Sequence, residues 1–144
     1  MTRSRILVTL VLLCRVALVA LWLLAAGAKI YTASDFRANV AGIVGARWAW
    51  DTTLLVIALE LLAAVLLVLP HTVRAGALAS SALLVGFAAF ALFYVYVLKG
   101  EPLECGCFGG LIASQLGVKT ALRNLALLVP ALVVLAGHGR ARSE

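Results

Sequence analysis

The chain has 144 residues, 65% of them hydrophobic and 12% charged, with 12 Lys and Arg against 6 Asp and Glu. That balance is far from a soluble domain's and predicts a single domain whose solvent is lipid. The formal charge of +6 does not signal nucleic acid, because the basic residues lie at the ends of apolar runs and form no stripe with interleaved aromatics.

Residues 6–28 make the first apolar run, preceded by Arg3 and Arg5. Ala26-Gly27-Ala28 resembles the A-x-A cleavage site of a signal peptide, but Arg15 interrupts the apolar region and the stretch is long enough to span a bilayer. It is therefore read as a transmembrane helix. Cys14 within it is a small apolar packing residue, and Lys29 at its end is expected to snorkel to the headgroups.

The second span covers residues 52–69 and carries Glu60 at its middle. Charges at such depth are costly, rare and usually paired. Antiparallel neighbours would bring Arg15 and Glu60 to similar depth, so a buried Arg15–Glu60 pair is expected, either registering the helices or forming a proton or ligand site. The third span covers residues 75–98. Ala79, Ala82, Gly86 and Ala89 recur on it at three- and four-residue spacing, predicting a smooth seam for close helix contact. Trp48, Trp50, Tyr94 and Tyr96 lie near span ends and suit an interfacial belt.

Between the third and fourth spans stands Cys105-Gly106-Cys107-Phe108-Gly109. A disulfide needs its α-carbons roughly 4.4–6.8 Å apart, so closing a Cys-x-Cys ring requires a bend. Gly106 permits backbone angles that other residues resist. A strained or exposed disulfide is the labile kind, and Gly109-Gly110 gives the connection room to change shape with redox state. Spacing alone leaves three readings open: redox exchange, a static disulfide, and inert thiols. Two thiolates also suit Cu(I), whereas a closed zinc site wants four ligands, and no metal ligand set is assigned.

The fourth span covers residues 118–136, with Pro130 inside it. Arg123 and Lys29 are expected on the same side as the thiols, where a cation stabilises thiolate. Arg123, of fixed charge, is the preferred cation, and Asn124 can hydrogen-bond across helices. The fold class that follows is all-α: a polytopic bundle of four transmembrane helices in a lipid bilayer. Arg3 and Arg5 favour a cytoplasmic N-terminus and C-terminus, which puts the Cys105/Cys107 connection outside, where disulfides persist.

The CGCFG element, followed by Arg123-Asn124 opening the last helix, resembles the MauE (methylamine-utilisation) branch of the DoxX-like membrane proteins. The likeness extends to Lys29 followed seven residues later by Phe36, and to Glu60 in the second span. Ala26 stands where the family usually has glycine, and Ile57 and Ala64 stand where a proline and a glycine often flank the glutamate. The resemblance implies a four-helix, redox-associated protein of the bacterial inner membrane that supports disulfide formation or maturation of exported proteins. It implies a periplasmic thioredoxin-like protein or a disulfide-containing client as partner, and a place in a larger membrane complex. The wider group extends the implication to electron transfer to quinone. The resulting expectation is a thiol–disulfide redox protein using Cys105 and Cys107, with Gly106, Phe108, Gly109, Arg123, Asn124, Lys29, Glu60 and Arg15 in support. Its alternatives are a non-catalytic assembly subunit with a structural Cys105–Cys107 disulfide, and a Cu(I)-handling protein.

Overall fold

The structure, a computed structural model, describes residues 3–99 and 117–140. The described residues form five helices and no strand: α1 Arg3–Tyr31, α2 Ala33–Val44, α3 Ala49–Val68, α4 Val73–Tyr96 and α5 Val118–Arg140. Four of them, α1, α3, α4 and α5, are long and apolar enough to cross a bilayer. They carry the four expected spans, each with its expected run lying within or nearly within the helix. Helices are what lipid demands here, since it offers no partner to an unpaired backbone group.

The spans pack as a ring, α1 against α3 and α5, and α4 against α3 and α5. Val11 near the start of α1 meets Gly137 near the end of α5, and Arg15 meets the end of α3. The start of α1, the α3–α4 turn and the end of α5 therefore share one end of the bundle. Lys29, the end of α4 and the start of α5 lie toward the other. The core runs down the middle through Leu18, Trp22, Ala63, Leu67, Ala77, Leu84, Ala131 and Val134. Cys14 is half-buried against it, as a packing residue should be.

α2 is a helix that the search for spans does not find. Its 12 residues include Asp35 and Arg37, none is buried, and it packs chiefly on α3. It turns back after Thr32 and ends at Gly45, whose φ of 88° is left-handed and suits glycine. Just beyond it, Arg47 stacks over Trp48 at 5.5 Å, while Arg37 of α2 stacks over Trp50 at 6.0 Å. Trp48, Trp50 and Tyr96 are exposed as an interfacial belt requires, but Tyr94 is buried and leaves that belt.

The seam on α4 also differs from expectation. Gly76, Ala77, Ser80, Leu84, Ala88 and Ala91 are the buried face. Ala82, Gly86 and Ala89 are exposed, Ala79 is half-buried, and a Cβ at Gly86 would meet nothing within 4 Å. Small residues at helical spacing occupy two neighbouring stripes of α4, and packing chooses the one holding Gly76. There α4 crosses the end of α3 so closely that a Cβ would lie 2.7 Å from the backbone nitrogen of Leu67.

Candidate functional site

The two charges expected to pair do not meet. Lys29 Nζ donates to Glu60 Oε1 at 2.6 Å, in a salt bridge with Lys29 1% and Glu60 0% exposed. Arg15 instead donates from Nε to the carbonyl of Leu67 at 2.5 Å and from Nη2 to that of Val68 at 2.6 Å. Geometry accounts for both outcomes. Helical Cα–Cβ bonds tilt toward their own N-terminus. In the antiparallel α1 and α3, Lys29 and Glu60 therefore lean toward each other, while Arg15 leans away from Glu60 and toward the end of α3. On the register set by Arg15 at Leu67, Glu60 lies roughly 10 Å back along α3, counting seven residues at 1.5 Å rise.

Arg15 thus serves as a helix cap in place of an ion-pair partner. The last carbonyls of a helix lack intrahelical donors, and a cation there also suits the helix dipole. Thr72 Oγ1 donates to the carbonyl of Leu66 at 2.9 Å, so three successive carbonyls, Leu66, Leu67 and Val68, are satisfied from two side chains. Lys29 is a buried partner, and the snorkelling expected of it does not occur. The Phe36 ring of α2 lies 5.6 Å from Nζ, so the short helix missed in the sequence helps enclose the ammonium.

Beside the pair lies a small central cavity lined by Leu21, Trp22, Ala25, Glu60, Leu84, Phe87, Asn124 and Leu127, drawn from all four spans. Trp22 Nε1 donates to the buried Ser80 Oγ at 2.8 Å, fixing one wall, and the Trp22 and Phe87 rings are 6.4 Å apart. Asn124, 4% exposed, reaches this cavity from α5, while its neighbour Arg123 is half-buried. Lys29, Glu60 and Asn124 therefore gather toward one cluster from α1, α3 and α5. Arg15 belongs to the opposite end.

Cys105, Gly106, Cys107, Phe108 and Gly109 lie outside the described residues. Their place in the chain is the connection from α4 to α5, which begins and ends at the Lys29 end of the bundle. Among the described residues no group of three or more His, Cys, Asp or Glu could hold a metal. Sequence reasoning passed over Trp22, Ser80 and Thr72. The available signal was that an indole N–H or a hydroxyl within a span needs a partner in lipid.

Four bilayer-length helices around a buried lysine–glutamate pair define a multi-pass membrane protein. Its particular family follows from its sequence. Residues 7–137 match the family described as Methylamine utilisation protein MauE, and the chain belongs to that family. Comparison with curated proteins and with solved structures gave no match.

Proposed function

We propose that the protein is a thiol–disulfide redox protein of the bacterial inner membrane, cycling Cys105 and Cys107 between dithiol and disulfide. One observation carries the reading: a MauE-family chain places two thiols one residue apart in the connection between its last two spans. The termini are cytoplasmic in this reading and the thiols face the periplasm, where disulfides persist.

In the oxidising direction, a thiolate of a periplasmic thioredoxin-like protein or exported client attacks one sulfur of the Cys105–Cys107 disulfide. That bond breaks, a mixed disulfide forms, and the released cysteine leaves as thiolate and takes a proton. The partner's second thiolate then displaces the remaining cysteine, completing the partner's disulfide. Two electrons and two protons pass to the pair, and the reverse sequence returns them. Arg123, near the start of α5, would favour thiolate electrostatically at that end of the bundle, whereas the charge of Lys29 is taken up by Glu60. A quinone is the acceptor class suggested by the wider DoxX-like resemblance.

The test is capture of the partner. With Cys14 replaced by Ala, Cys105→Ser and Cys107→Ser are expressed separately and membranes are quenched with an alkylating agent. One of the two variants should accumulate a reducible, disulfide-linked adduct with a second protein. Absence of such an adduct from both contradicts the proposal.

A further inference from the structure

Glu60 Oε2 and Asn124 Nδ2 are both buried, and neither has a hydrogen-bond partner among the described residues. Buried polar groups of this kind nearly always find a partner, because leaving one bare costs the full desolvation penalty. Both residues line the central cavity. One is an acceptor and the other a donor. A single oxygen that donates one hydrogen bond and accepts another answers both. The cavity, of about 20 Å³, has room for a water molecule.

We infer that this cavity is a binding site for one internal water, which donates to Glu60 Oε2 and accepts from Asn124 Nδ2. The water extends the ion pair into a polar chain, Lys29–Glu60–water–Asn124, that links α1 and α3 to α5 through the middle of the bundle. Apolar walls of Leu21, Leu84, Phe87 and Leu127 surround it and offer no competing hydrogen bonds. The chain ends at the residue next to Arg123, toward the end of α5 that leads back to the cysteines. The site stands on the cavity and its two polar groups, and does not depend on thiol chemistry.

Water-edited solid-state NMR of the full chain, 13C-labelled at asparagine and leucine and reconstituted in lipid vesicles, reads the site directly. The sequence has two asparagines, Asn39 and Asn124, which an Asn39→Gln variant assigns. Magnetisation transfer from water to the Asn124 side-chain carbon should reach within about twofold of that to the half-buried Asn39, with the signals of Leu18, buried in the core away from the cavity and assigned by a Leu18→Met variant, at least about tenfold weaker. An Asn124 signal as weak as Leu18's overturns the proposal. Ala25→Leu, which fills the cavity, should abolish the Asn124 transfer and leave Asn39 unchanged. Persistence of the transfer in a folded Ala25→Leu protein also overturns it. Should that variant fail to fold, the wild-type measurement decides alone.

Discussion

Lys29 and Glu60 are each held in a bundle interior that neither could occupy ionised on its own. Burial withdraws both charges from water, and their mutual contact at 2.6 Å, with the Phe36 ring over Lys29 Nζ, offsets that loss. Glu60→Gln should therefore destabilise the protein by about 3–5 kcal/mol, because it removes the carboxylate charge that faces the buried Lys29 ammonium. The double variant Lys29→Met with Glu60→Leu should lose less than Lys29→Met or Glu60→Leu alone. Equilibrium unfolding in detergent gives all the values of this cycle, and additive losses would show that the two groups are not coupled. Arg15 makes a separate prediction. Arg15→Met keeps the apolar stem and removes both donors to the end of α3, so it should cost about 1.5–3 kcal/mol. Its effect should add to that of Glu60→Gln, since the two residues share no contact. Strong coupling between Arg15 and Glu60 in the same assay would revive the pairing that the geometry rejects. The sequence makes Glu60 legible as a charge that is paired and Arg15 as one that needs a partner. It does not make the partner legible, because depth follows from counting residues whereas the direction of lean decides which groups meet.

At the scale of helices, α4 shows how a correct periodicity can point to the wrong face. Two stripes of small residues satisfy three- and four-residue spacing, and nothing in the sequence ranks them. Packing does, through the close crossing of Gly76 over α3 and the Trp22–Ser80 hydrogen bond. Gly76→Ala should accordingly cost about 1–3 kcal/mol, because its Cβ meets backbone that cannot step aside. Gly86→Ala, into open space, should lower the melting temperature by no more than a degree or two, and if anything raise it, since alanine favours helix over glycine. Equal losses from the two substitutions in a thermal-unfolding assay would return the contact face to the Gly86 stripe. α2 escapes sequence reading for a different reason. It is too short to span, carries two charges in its first half and buries none of its own residues. Its position is set by the surface of α3 and by Phe36 over Lys29, both tertiary facts.

For the whole molecule, lipid made the architecture legible. Runs of roughly 20 apolar residues can be little else than spanning helices, so their number and approximate limits follow from composition. The ring order of those helices and the cavity at its centre do not, since they depend on side chains from four segments far apart in the chain. The bundle gathers Lys29, Glu60 and Asn124 toward one end and leads into the Cys105/Cys107 connection at that same end. The central claim is that these two cysteines form a working couple and not a static clamp. Redox titration of the Cys14→Ala protein in lipid vesicles, with alkylation mass shifts counting free thiols, measures this most directly. One reversible two-electron couple is expected, with a potential between about −270 and −120 mV, where catalytic dithiols lie. A disulfide that stays closed below about −300 mV, as structural ones do, or thiols that never pair, would contradict it.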